Sequence, residues 1–188
     1  MNDRPRRIAC SLLQIACLCL WIPAITSYDS LFFSVEHPDS LKYVYEVSPS
    51  YSIGAIFPKK VHNVYLYYAE PENACTPLKN YDQVEGEAVL IERGDCSFVE
   101  KALNAYAAGA AFAIVTDSKN NSDSFINMIE DGTGRQARIP IAYLPGVSGR
   151  QFRQHFLYED DYVVINIPLN LTMKSVREVL NKPPWELW

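Results

Sequence analysis

A strand, a capped helix and a second strand packed into about 30 residues constrain this chain more than any other feature. Ala88-Val89-Leu90-Ile91 is a short apolar run bounded by Glu87 and Glu92, the pattern of a buried strand. Gly94 and Asp95 then supply a turn. Ser97 and Glu100 have the spacing of a capping box, so a helix is predicted to start there and run to about Ala108, where Gly109 can take the left-handed cap. Phe98, Ala102, Ala105 and Tyr106 give that helix an apolar face, and its alanines allow close approach to a sheet. Ala110–Val115 reads as a second buried strand. Two strands joined by a helical crossover of this length lie parallel, with a right-handed connection.

Around this unit the chain is richer in strands than helices. Tyr28–Val47 is dense in aromatic and β-branched residues, and Lys42–Val47 alternates as a half-buried strand does before Ser48-Pro49-Ser50 ends it. Ser52–Phe57 and Val61–Tyr68 read as two more extended pieces, parted by Pro58. Further on, Phe125–Glu130 is predicted as a short helix capped by Asp123 or Ser124, and Asp131–Gly134 as a loop. Ile139–Leu144 is a predicted strand, turned by Pro145-Gly146. Ser148 with Gln151 repeats the capping-box spacing for a helix to about Phe156, Tyr162–Ile167 reads as a strand, and Met173–Leu180 as a final short helix. The fold class is mixed α/β and β-rich, a sheet flanked by short helices, and not a doubly wound one.

The first residues carry a different message. Arg4, Arg6 and Arg7 precede an apolar run from Ile8 to Ile22, and Pro23-Ala24-Ile25-Thr26-Ser27 follows. This is the layout of a cleaved secretory signal peptide, with cleavage near Thr26 or Ser27. The run holds roughly 15 residues, short of the about 20 that span a bilayer as a helix. A signal anchor is the alternative, because Ile25 and the aromatics after it blur the boundary. The expected organisation is a signal peptide over 1–26, one domain with an N-terminal extension over 27–170, and a helix with a Pro/Trp tail over 171–188. Beyond residue 26, 14 basic residues face 21 acidic ones. That balance, without any basic run, argues against nucleic acid or an anionic membrane as partner. No second apolar stretch of membrane length follows, so the processed chain is expected to be secreted through the endoplasmic reticulum lumen.

Of five cysteines, Cys10, Cys17 and Cys19 fall in the leader. Cys75 and Cys96 remain, and an oxidising route makes a disulfide between them the simplest expectation. Such a bridge contributes on the order of 3 kcal/mol through the unfolded state. Two cysteines with His37, His62 and His155 at long spacings make no zinc signature, and there is no C-x-x-C. Two sequons, at Asn120 and Asn170, are expected to lie on the surface and to accept glycans.

Features that hint at other chemistry have plainer readings. Gly132-Thr133-Gly134 lacks the third glycine and the acidic residue of a nucleotide fingerprint. Ser97 stands between strand and helix, but Gly-x-Ser-x-Gly is absent, and helix capping accounts for it. Asp160-Asp161 and the set Asp117, Asp123, Glu130 and Asp131 lack the dense acidic spacing of a calcium loop. Arg93-Gly94-Asp95 spells an adhesion tripeptide, yet a turn explains its glycine and aspartate. No catalytic residue, cofactor or metal is expected. The tail Pro183-Pro184-Trp185-Glu186-Leu187-Trp188 stands out more, because Trp185 and Trp188 either pack back on the domain or anchor a partner.

The ordered pieces Gly86–Lys101, Ala107–Ala110 and Ala113–Val115, followed by Ile139-Pro140-Ile141-Ala142-Tyr143-Leu144 and Gly149, resemble the protease-associated domain over about Val61–Ile167. The resemblance implies a β-rich fold with short helices. It also implies a non-catalytic module, found inserted in or appended to proteases, receptors and ubiquitin ligases, that shapes substrate access or binds protein and peptide segments. Here no catalytic, transmembrane or RING segment accompanies it, which leaves the partner open as an unknown secreted or luminal protein or peptide. Any ligand is expected at loops on the sheet edge near Cys75 and Cys96, or at the tail. A small hydrolase or protease accessory with residual activity and a luminal sorting or receptor-like fragment are the competing readings. The hydrolase would need His62 or His155 in a polar cleft, beside a carboxylate and a hydroxyl.

Overall fold

The computed structural model describes residues 30–58, 61–120, 122–159, 161–168 and 181–186. The signal peptide expected at 1–26, the Asn170 sequon, Asp160, the helix expected at 173–180 and Trp188 lie outside the described residues. Seven strands are formed: β1 (Leu31–His37), β2 (Val44–Pro49), β3 (Val61–Tyr68), β4 (Ala88–Glu92), β5 (Phe112–Thr116), β6 (Ile141–Leu144) and β7 (Val163–Ile167). Among the described residues three α-helices accompany them: α1 (Tyr81–Val84), α2 (Phe98–Ala107) and α3 (Gly146–Tyr158).

The strands close into a barrel in the order β1-β2-β6-β5-β4-β3-β7, with β7 returning to β1. The pairs β3–β4, β4–β5 and β5–β6 are parallel, and the others are antiparallel. The expected strand–helix–strand unit is β4-α2-β5. Ser97 Oγ accepts the Glu100 N–H at 3.1 Å, and Gly109 takes φ +80° just past the helix.

The period of two along each strand builds two cores. Ala88 and Leu90, Phe112 and Ile114, and Ala142 and Leu144 point into the barrel, beside Phe33, Tyr45, Leu66 and Ile165. Val89 and Ile91, Ala113 and Val115, and Ile141 and Tyr143 point outward onto Val99, Ala102 and Ala105 of α2 and onto Ile53, Met128 and Ile139. β4, β5 and β6 are therefore buried on both faces, which is why they read as unbroken apolar runs. Each large side chain so buried contributes about 1.5–3 kcal/mol. α3 sends Phe152 into the inner core, 4.9 Å from the Tyr45 ring and 6.1 Å from Phe33. Its approach is possible because residue 149 is glycine. A Cβ there would stand 1.8 Å from Thr116 Oγ1.

Closure depends on β7 and on one side chain. The ladders of β7 with β1 and with β3 each contain an irregularity, between Val35 and His37 and between Val61 and Val64. Asn166 spans both. Its Oδ1 accepts the Asn63 N–H at 2.9 Å, where Asn63 has φ +55°, and its Nδ2 donates to Glu36 Oε1 at 2.6 Å. The Asn63 N–H at the β3 irregularity thus finds an acceptor, and a side-chain bond to Glu36 ties Asn166 to β1.

Three expectations are corrected. Ser52–Phe57 is not a strand. Gly54 N–H donates to Ser50 O at 3.0 Å in a turn, and Gly54 lies so close to Ile139 and Ile141 that no side chain fits. Phe125–Glu130 is not helical. Ser122 Oγ accepts the Ser124 N–H in a local turn, and Met128 O is taken by Ser50 Oγ at 3.1 Å, so long-range bonds replace those of a single turn too short to stand alone. The helix expected from Ser148 begins at Gly146 instead, after Pro145, and Ser148 lies within it. Its hydroxyl is needed elsewhere: it accepts from Trp185 Nε1 at 3.1 Å and donates to Glu186 at 2.6 Å.

Asn166→Ala is expected to lower unfolding stability by about 1–3 kcal/mol in urea titrations, since the Asn63 N–H loses its acceptor in a half-dry setting. A change under about 0.5 kcal/mol, the scale of ordinary surface substitutions, would contradict the role given to this residue in closure.

Candidate functional site

Parallel strands deliver their C-terminal loops to one end of a sheet. Here β3, β4 and β5 bring the loop 69–80, the turn 93–97 and the start of the loop after Thr116 to the same end of the barrel. Because the sheet closes, the expected sheet edge near the cysteines does not exist among the described residues. The first two loops are cross-linked by the Cys75–Cys96 disulfide, with Cα atoms 5.7 Å apart. Several bonds fasten the same pair. Glu92 N–H donates to Glu72 O at 2.7 Å, and Asn73 Nδ2 to Asp95 Oδ2 at 2.6 Å.

Beneath the disulfide sits a charge. Lys101 of α2 is fully buried, and its Nζ donates to Asn73 O at 2.6 Å and to Gly94 O at 2.7 Å. Burial pushes its ammonium down to about 8, against the pull of Asp95 and Glu92. Asn104, one turn on, donates to Ala74 O at 2.9 Å. Helix α2 therefore holds the backbone of the disulfide loops through two side chains. These loops take Ala74, Gly94 and Asp95 into positive φ, where few backbone bonds are available within the loop itself.

A second buried charge lies at the end of β4. Glu92 is 1 % exposed and accepts from Ser118 Oγ at 2.6 Å and from the Tyr68 hydroxyl at 3.0 Å. Burial and then the Glu92 charge push the Tyr68 phenol well above its ordinary value. Glu72 beside it pairs with Lys119 at 2.6 Å and Arg153 at 3.6 Å. The bond from Lys119 is the main reason its carboxyl titrates below the usual range.

Next to this network opens a cleft of about 520 Å³. Tyr67, Tyr68, Glu70 and Glu72 line it from β3 and the loop, Lys79, Asn80 and Gln83 from α1 and the residues before it, and Phe156 and Leu157 from α3. Asn80 is buried and fixes the loop: its Oδ1 accepts the Glu70 N–H at 3.1 Å and its Nδ2 donates to Tyr68 O at 2.9 Å. The Tyr68 ring lies near parallel to Phe156, centroids 5.8 Å apart. Apolar walls with a few convergent polar groups are the usual makeup of a binding cleft.

Nothing in this arrangement assembles an acyl-transfer dyad. Ser97 Oγ caps α2 and donates to Asp131 at 2.8 Å. His37 pairs with Asp161 at 2.9 Å, His62 reaches Asn166 and His155 reaches Asp161 O; among the described residues none bonds a hydroxyl. Among those residues no group of three or more His, Cys, Asp or Glu is placed to hold a metal ion. Arg93 bridges Asp117 at 2.9 Å while Asp95 holds Asn73, so both charges of the adhesion tripeptide serve the turn.

The other expected sites fall on different elements. Asn120 is exposed in a turn after β5, and its sequon continues through Asn121, which is outside the described residues. Trp185 is half-buried, edge-on to Tyr43 at 5.3 Å and hydrogen-bonded to Ser148. Asn181 O accepts the Val44 N–H at 2.8 Å, so residues 181–186 form a strap across β2 and the start of α3. Sequence reasoning missed Lys101, Glu92, Asn80 and the tyrosine walls. Lys101 did carry a signal, a charge three residues after Phe98 and four before Ala105, on the stripe that faces the sheet.

The fold is thus a closed barrel with a disulfide-bound loop end, and comparison with known proteins places it in a family. The model of the PA domain matches residues 61–152. The PRADC1-like protein of Drosophila melanogaster is 36% identical over 172 residues, 87% of either chain. Signal peptide peptidase-like 2 of Arabidopsis thaliana is 34% identical over 111 residues, 54% of this chain and 20% of that one. ER degradation-enhancing alpha-mannosidase-like protein 3 of Homo sapiens is 32% identical over 115 residues, 58% of this chain and 12% of its own length. The chain belongs to the protease-associated domain family.

Because Lys101 is held below its unfolded value of about 10.4, the unfolded chain binds its proton more readily from about pH 8 to about pH 10. Stability from this group therefore rises with pH across that window. Lys101→Met, which keeps the stem but has no proton to lose, is expected to lack the rise, by on the order of 1–2 kcal/mol, when urea midpoints are compared across the window. Parallel profiles for the two proteins would contradict this picture of the buried ammonium.

Proposed function

We propose that the chain is a glycoprotein of the secretory route that docks a protein or peptide segment in the cleft beside the disulfide loops. The observation that carries this reading is the cleft itself. It is preformed, and its wall is held by a disulfide, by buried Lys101 and half-buried Asn104 of α2 and by Asn80. A fixed wall lowers the ordering cost of association.

On this reading residues 1–26 are removed as a signal peptide and 27–170 form the domain. The final residues from 171 include a strap that lies on the domain, and Asn120 and Asn170 carry glycans. Several observations support it. Among the described residues no helix is long and apolar enough to cross a membrane. A disulfide is formed, which suits an oxidising compartment. One relative is named for degradation in the ER. Asn120 is open to a glycan-transferring enzyme. Trp185 serves the strap, which leaves Trp188 as the tail's candidate partner anchor.

One preparation tests both halves. The protein is made in eukaryotic cells with a photo-cross-linking residue at Leu157, on the cleft, or at Tyr106, on the solvent-facing side of α2. The expected outcome is a chain in the medium that begins near Ser27, loses mass on glycan removal and has no free thiol, with a discrete adduct from position 157 and none from 106. Retention in membranes with residues 8–22 attached would overturn the secreted reading. Equal adducts from both positions would overturn the cleft as the docking site.

A further inference from the structure

Beyond the cleft, β3 carries two tyrosines, one of which, Tyr67, also lines the cleft. Tyr65 and Tyr67 project from β3 with ring centroids 6.2 Å apart and planes 28° from parallel. Tyr65 is 40% exposed. Glu87 stands beside them. One of its carboxylate oxygens accepts the Tyr65 N–H at 2.7 Å, and its charge, after burial, pushes the Tyr67 phenol up. Glu70, on the cleft, is exposed, and its carboxylate makes no hydrogen bond or ion pair among the described residues. The other lining carboxylate, Glu72, is already neutralised by Lys119 and Arg153. Lys79 is the basic side chain among the lining residues.

How a partner binds here is constrained by the closed sheet. A peptide cannot add to the barrel as an extra strand, because among the described residues the ladder has no free edge. Affinity must come from side chains, and the side chains on offer are tyrosine faces, the unpaired carboxylate of Glu70, the nearby Glu87 and the apolar surface of Phe156 and Leu157. Tyrosine faces flanked by carboxylates select a planar cation, because a guanidinium stacks on the ring while its N–H groups reach the carboxylate. The acidic balance beyond residue 26 repels a negatively charged partner and draws a positive one.

The geometry points to a partner of defined chemistry: an extended cationic segment that presents arginine to Tyr65, Tyr67, Glu70 and Glu87 and an apolar side chain to Phe156 and Leu157. This rests on the reading of the cleft as a docking site and goes further by fixing the charge of what docks. It separates the two roles of the cleft end. The buried Lys101 and Glu92 hold the wall, and exposed Glu70 with half-buried Glu87 selects.

The test uses the secreted protein, labelled with ¹⁵N, and three acetylated hexapeptides: arginine alternating with leucine, the same with glutamine for arginine, and the same with glutamate. The arginine peptide is expected to shift the amides of β3 and the loop 69–80 and to bind about ten-fold or more tighter than the glutamine twin. The glutamate peptide is expected to leave the spectrum unmoved. Glu70→Lys combined with Glu87→Gln, which keeps an acceptor for the Tyr65 N–H, is expected to bring the arginine peptide down to the level of the glutamine twin. Equal binding of the arginine and glutamine peptides at the cleft would overturn the charge selection and leave the docking site standing. Preference for the glutamate peptide would do the same. Shifts confined to other surfaces, or no shift from any peptide up to about 1 mM, would overturn both. A change in self-association that tracks the same variants would assign the face to a second copy of the chain instead.

Discussion

The insertion of β7 between β1 and β3 is the constraint on which the rest depends. It brings Ser34 opposite Asn166 and Val64 opposite Ile165, and so turns an open mixed sheet into a closed one. Closure creates an interior that must be filled, which Phe33, Tyr45, Phe152 and the inward residues of each strand accomplish. It also leaves the outward faces of β4, β5 and β6 to be covered by α2 and the irregular segments around Ile53 and Met128. A closed ladder removes the edge that would invite pairing with other chains. With no edge to offer, the domain has loops and faces left for recognition.

The loop end is unusual in being held from below by charge. Two loops with positive-φ residues carry carbonyls that cannot join a ladder, and Lys101 meets two of them from inside the packed helix. A buried ammonium is unfavourable in isolation. Here it is offset by carbonyl acceptors and by Asp95 and Glu92 nearby. The disulfide acts on the same loops mainly by restricting the unfolded chain. Lysine and disulfide thus contribute by different routes to one outcome, a wall whose shape is set before a partner arrives. Glu92, tied to Ser118 and Tyr68, does the same for the end of β4.

The local parts of this structure were legible. The β4-α2-β5 unit follows from an apolar run, a serine cap and a glycine stop, all within one short stretch of chain, and the pairing of Cys75 with Cys96 from their being the two cysteines beyond residue 26. The non-local parts were not. Closure depends on Asn166 reaching Asn63 and Glu36, and no pattern around Asn166 announces partners more than a hundred residues away. Phe125–Glu130 reads as helix because propensity is local, yet its backbone is recruited by Ser50. Ser148 reads as a cap because its spacing to Gln151 is right, yet its hydroxyl joins Trp185 and Glu186 from the tail. The cleft was invisible for the same reason: its walls come from β3, α1 and α3.

Native-state hydrogen exchange followed amide by amide tests closure most directly. The account predicts that Val163–Ile167 of β7 and the paired residues of β1 and β3 exchange only through the same global opening that frees β4 and β5, with equal sensitivity to urea. Amides of β7 that exchange far faster than those of β4, through a local opening insensitive to urea, would show a sheet with a free edge and contradict the closed barrel.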